Sequence, residues 1–142
     1  FNDIHDFFQR LQALSRVSKE RWWPDLVTVV ERTFNIGKKA KSSGSVDERL
    51  FTDPEERSLW DIYKGNETAV RNLVIEKRYE EACRTYYEVF AQPVHRFFDK
   101  VYVNVDDEAV RNNRLLLVRT INELYSEKIA DLSQMEMSCG KS

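Results

Sequence analysis

Apolar residues recur along this chain at three- and four-residue spacing, the period that gathers side chains on one face of an α-helix. In residues 2–17 the stripe is Ile4, Phe7, Phe8, Leu11, Leu14 and Val17, which predicts a first helix with one buried face. Residues 22–41 carry two strips, with Trp23, Leu26, Val27, Val30 and Phe34 on one and Trp22, Val29 and Ile36 on the other. A helix with two apolar strips packs between neighbours. Pro24 fits only its first turn, where a missing N–H costs nothing, so the helix starts at Trp22 or Trp23.

Thr52-Asp53-Pro54-Glu55-Glu56 then joins an N-cap, a proline at the first helical position and a glutamate placed for a capping box. Leu59, Ile62, Tyr63, Val70, Leu73 and Val74 carry that helix to about residue 76, with Gly65-Asn66 as a weak centre. Tyr79, Ala82, Cys83, Tyr86 and Phe90 mark the next face. Pro93 predicts a break, after which a fresh helix takes up the stripe at Val94, Phe97, Phe98 and Val101. The last helix is expected over residues 106–128 with Val110, Leu117, Val118, Ile121, Leu124 and Tyr125 inward, and residues 134–142 as a frayed tail. The pattern predicts an all-α fold, an antiparallel bundle of about five or six helices forming one domain over residues 1–142. The chain opens on Phe1 inside an amphipathic stretch, so it is expected to be a fragment of a larger protein.

Composition supports long helices with solvated faces: 42% of residues are apolar and 32% charged, against only 4 glycines and 3 prolines. The formal net charge of −2 leaves any contact with nucleic acid to local basic patches. Two such patches stand out. One is Lys38, Lys39 and Lys41 at the end of the second helix. The other is the last helix, where Asp106-Asp107-Glu108 read as its first turn and the residues from Ala109 to Asn122 include Arg111, Arg114 and Arg119 and no acid.

Candidate chemistry is sparse. The histidines, His5 and His95, are isolated, and neither a nucleophile elbow nor a phosphate-cradling glycine loop occurs, so no catalytic residue is predicted. Cys83 and Cys139 are far apart and belong to no metal-binding pattern, which fits a reducing compartment and predicts no metal site. Cys83 lies on an apolar stripe and reads as a small core residue. No apolar run approaches the ~20 residues needed to cross a bilayer, so no membrane is expected and the cytoplasm is the expected location.

The segment Phe97-Phe98-Asp99-x-Val101-x-Val103, followed by Asp106-Asp107-Glu108-Ala109-Val110-Arg111-x-Asn113-Arg114-Leu115, resembles the C-terminal part of the bacterial-type glycyl-tRNA synthetase beta subunit. Its last helical domain is of the DALR anticodon-binding type. Leu50-Phe51, Pro54-Glu55-Glu56, Arg78-Tyr79-Glu80-Glu81-Ala82 and Ile129-Ala130-Asp131-Leu132-Ser133 extend the resemblance over residues 50–133, and Arg32-x-x-Asn35-Ile36 is a remnant of it upstream. The resemblance implies a parent enzyme, a glycine–tRNA ligase, that joins glycine to its tRNA with ATP and magnesium. Its catalytic centre lies in an alpha subunit or in the alpha portion of a fused chain. The domain itself is then non-catalytic, carries no cofactor, and contacts the anticodon end of the glycine tRNA. Two other readings stay open: a helical subunit-docking module that touches no RNA, and the DALR domain of an arginyl-tRNA synthetase, against which the Phe97-Phe98-Asp99 block counts.

An anticodon is read by stacking and by contacts to splayed base edges, with lysine and arginine on the flanking phosphates. At about 100° per residue, Arg114 falls within the apolar arc of the last helix, Asn112 and Arg119 fall opposite it, and Arg111 lies at its border. Arg114 is therefore expected to point inward and to pair with a carboxylate, Asp99, pinning the segment from Phe97 to Val103. The RNA-binding candidates are Arg111, Asn112, Arg119, Lys38, Lys39 and Lys41. An exposed Tyr or Trp could stack on bases, but most of the aromatic residues lie on the apolar stripes and are read as core.

Overall fold

In a computed structural model that describes residues 2–41, 44–101 and 103–126, the chain forms five α-helices and a short 3-10 turn, with no strand among the described residues. The helices are α1 (Asn2–Val17), α2 (Trp23–Gly37), α3 (Pro54–Ile75), α4 (Tyr79–Lys100) and α5 (Glu108–Ser126), and the 3-10 turn spans Glu48–Leu50. The expected all-α bundle is what is found.

The α3 start forms as its sequence dictates. Asp53 caps it, its side chain accepting from the Glu55 N–H at 2.9 Å, while Glu56 reaches back to the Asp53 N–H at 2.9 Å to close the capping box. The helix then runs unbroken through Gly65. It ends where Lys77, at φ 61°, turns the chain left-handed, and the Arg78 and Lys77 N–H groups donate to the Leu73 and Val74 carbonyls at 2.8 and 2.9 Å. That turn makes α3 and α4 an antiparallel hairpin, with Tyr63 packed on Phe90.

Pro93 does not break α4, contrary to the sequence expectation of a fresh helix. The reason is burial on both sides of it. Tyr86, Phe90, Ala91, Val94 and Phe97 all lie in one core. A proline inside a helix costs about 3 kcal/mol, while each large side chain kept in the core is worth about 1.5–3 kcal/mol, so one continuous helix wins. Phe97 and Phe98 thus belong to α4, and extended backbone begins only at Val101.

The expected buried face of α1 holds for Leu14 and Val17 alone, because its first turns leave Ile4, Phe7 and Phe8 at 63%, 52% and 57% exposure. Contacts from α1 run to α4, where Tyr79 donates to Asp6, Arg10 lies over the Tyr79 ring and Arg16 pairs with Glu80. α2 packs between α4 and α5, as its two strips require. α5 starts at Glu108, two residues later than its acids suggest, with Asp107 as the cap accepting from the Ala109 and Val110 N–H groups at 3.0 and 3.1 Å. Residues 113–118 of α5 are buried without a break, which makes its middle the floor of the bundle. The expected tail, Cys139 and the stretch from Ile129 to Ser133 lie outside the described residues.

Candidate nucleic-acid interface

The end of α2 lies directly against α5, and a glycine permits it. A Cβ on Gly37 would come within 2.7 Å of the Arg119 Cα, closer than real side chains approach backbone. One turn earlier the contact is polar and buried, with Asn122 Nδ2 donating to the Val30 carbonyl at 2.9 Å and to Thr33 Oγ1 at 3.1 Å. The two helices run antiparallel, so the chain leaving α2 passes along the first turns of α5.

Adjacent asparagines of α5 hold that departing chain. Asn112 Oδ1 accepts from the Lys41 N–H at 2.8 Å, and Asn113 exchanges two hydrogen bonds with the Asp47 backbone, accepting at 2.7 Å and donating at 3.0 Å. Lys41 Nζ also meets Glu108 at 3.3 Å, an exposed pair of little energetic weight. On the other side, Arg111 Nη1 donates to the carbonyls of Val105 and Asp106 at 2.8 and 3.4 Å and so fixes the loop between α4 and α5. The loops thus held leave a groove of about 380 Å³ with a polar lining of Lys39, Lys41, Asn104, Glu108, Arg111 and Asn112, three cations to one acid, over an apolar floor of Ile36, Val103 and Leu115.

Four of the six RNA candidates therefore meet in one groove, although they come from stretches about 70 residues apart in the chain. The other two, Lys38 and Arg119, lie beyond Gly37 in a neighbouring groove of about 310 Å³ together with Phe34. Arg119 Nε there donates to Glu123 at 3.1 Å. Lys38 adjoins Lys39 in the chain, yet the end of α2 sends the two side chains to different grooves.

Arg114 is buried, but its carboxylate is not Asp99. Its Nη2 donates to Glu56 at 3.0 Å and to Thr52 Oγ1 at 2.9 Å, while Asp99 is exposed on the last turn of α4. The correction follows from tertiary packing: the N-terminus of α3 crosses α5 and delivers Glu56, which is 0% exposed against 6% for Arg114. A signal was present in the sequence, because Glu56 lies three and seven residues ahead of Leu59 and Tyr63 and so shares their buried stripe.

Away from the grooves, burial pushes the Cys83 thiol from its ordinary 9.0 up to about 11, its Sγ lying 3.5 Å from the Tyr125 hydroxyl. His95 Nε2 is 3.0 Å from Asp25, which also accepts from Tyr87 at 3.1 Å, and His5 is exposed. Among the described residues no group of three His, Cys, Asp or Glu side chains is placed to hold a metal ion, and no helix is long and apolar enough to cross a membrane.

The family model described as the DALR anticodon binding domain matches residues 27–130. The chain belongs to the DALR anticodon-binding family. The DALR match takes in both grooves and α3, α4 and α5, and leaves out α1. Among individual relatives, the chain is 34% identical over 132 residues to the glycine–tRNA ligase beta subunit of Desulforudis audaxviator, covering 93% of this chain and 19% of that protein. The corresponding beta subunit of Geotalea daltonii is 32% identical, covering 95% of this chain and 19% of its own length, and that of Pseudomonas fluorescens is 35% identical, covering 92% and 19%. The chain thus spans about a fifth of the length of the curated relatives it matches.

Proposed function

We propose that this chain is the tRNA-binding domain of a glycine–tRNA ligase, in its beta subunit or beta portion, and that the groove between the end of α2 and the start of α5 takes the anticodon end of the glycine tRNA. The observation that carries this reading is the convergence of Lys39, Lys41, Arg111 and Asn112 on one groove of a DALR-family fold. In a chain of net charge −2, cations gathered in this way give a local attraction for phosphate that the molecule as a whole lacks. Lys39, Lys41 and Arg111 hold the backbone of the anticodon loop, and the carboxamide of Asn112 meets a base edge. The amino-acid attachment, with its ATP and magnesium, belongs in this reading to a catalytic alpha subunit or alpha portion in the cytoplasm.

A binding assay of the chain with glycine tRNA and with an anticodon-swapped version tests the proposal. Preference for the native anticodon is the expected result. Lys39→Ala weakens both complexes alike and lowers the slope of log affinity against log salt by roughly 0.7, as loss of one single-strand phosphate contact requires. Equal or absent binding of the two RNAs overturns the proposal. It would favour a subunit-docking module, a reading that draws on the exposed Ile4, Phe7 and Phe8 of α1, outside the DALR match.

A further inference from the structure

We infer that Phe34 is a stacking platform for one unpaired nucleobase, seated in the groove it shares with Lys38 and Arg119; this rests on the RNA-binding reading above and gives it a second contact point. Phe34 belongs by spacing to the stripe of Leu26 and Val30, both buried, yet it is itself 52% exposed. The cause is the close contact between α2 and α5. Thr33 and Gly37, four residues apart, turn toward α5, and the last turn of α2 is thereby set so that Phe34 falls on the groove wall instead of in the core.

What surrounds the ring identifies its ligand. Lys38 Nζ lies 5.6 Å from the ring centroid, and the groove of about 310 Å³ is otherwise lined by charged and polar side chains, Arg119 and Glu123 among them. A flat apolar face set among cations fits a base with its attached phosphate: the ring takes the π-face, Lys38 takes the phosphate, and the Arg119–Glu123 pair offers donors and an acceptor to the base edge. An apolar protein partner is served poorly by this wall, since a protein hot spot needs an apolar surround from which water is excluded. The first groove lies on the other side of the α2 terminus. A single strand crossing that end places phosphates on Lys39 and Lys41 and a base on Phe34.

The test uses the 142-residue chain, the anticodon stem-loop of glycine tRNA as probe, and three readouts: affinity, its salt slope, and thermal unfolding. Phe34→Leu keeps an apolar side chain and removes the ring, so it is expected to weaken binding about 5- to 100-fold with an unchanged salt slope and an unchanged melting temperature. Phe34→Trp is expected to bind at least as tightly as the parent chain, with an indole emission change on RNA addition that the parent chain does not show. A parent chain that binds the stem-loop while Phe34→Leu retains full affinity overturns the stacking role and leaves the tRNA-binding reading intact. So does a loss matched by a shallower salt slope, which marks a phosphate effect. A parent chain that binds no RNA overturns the function proposed above and this inference with it.

Discussion

One oxygen of Glu56 organises the junction of three elements. Its Oε1 accepts from the N–H groups of Thr52 and Asp53, from the Thr52 hydroxyl and from the Arg114 guanidinium, at 2.9–3.4 Å. Removing the carboxylate strips α3 of its capping box and breaks the buried ion pair with Arg114. Glu56→Ala is therefore expected to destabilise the fold by about 3–5 kcal/mol in urea unfolding. Asp99→Ala, at an exposed site, should stay within about 0.5 kcal/mol of the parent. The opposite ranking would return the pairing to Asp99. That Arg114 points inward was legible from its angle on the helix, and that Glu56 closes a capping box was legible from its spacing to Asp53. That the two meet was not, because no local pattern encodes how the start of α3 crosses α5.

At the level of elements, the glycines of α2 and α3 look alike in sequence and differ in space. Gly37 admits the α5 backbone, while around Gly65 an added Cβ would meet nothing within 4 Å. Gly37→Ala is expected to cost about 1–3 kcal/mol by forcing the helices apart, and to weaken RNA binding because both grooves depend on that approach. Gly65→Ala should instead stabilise by up to ~1 kcal/mol, the ordinary helix preference of alanine over glycine. Equal effects in a denaturant series would remove close packing at Gly37 as the reason the grooves exist. Helix existence was readable here from the apolar period, whereas helix ends and buried faces answered to tertiary packing. Pro93 argued for a break that core burial overrode, and the stripe of α1 argued for a buried face that extends over only half the helix.

For the molecule as a whole, the core carries buried protons that couple folding to alkaline pH. Cys83, Tyr86 and Tyr125 pack together, the two tyrosine rings 5.1 Å apart, and burial holds all three groups above their ordinary values. Below pH 9 the folded and unfolded chains both keep the thiol proton, so its contribution to stability is fully present. From pH 9.0 to about 11 the unfolded chain releases a proton that the folded chain retains, and stability falls as pH rises. The urea midpoint is expected to decline through that window, and a flat profile would contradict the burial of these groups. The candidate site is also a whole-molecule property. Composition indicated that only local patches of cations are available to RNA, and the sequence supplied Lys38, Lys39, Lys41, Arg111, Asn112 and Arg119. Only the antiparallel packing of α2 on α5 sorts them into two grooves, and it leaves Phe34, read from its stripe as core, on the wall of one. The paired asparagines add an architectural constraint. With Asn112 holding the chain at Lys41 and Asn113 holding it at Asp47, two neighbouring side chains of α5 set both where the chain departs from α2 and where it returns toward α3, so a change at either asparagine is felt at two distant points of the sequence.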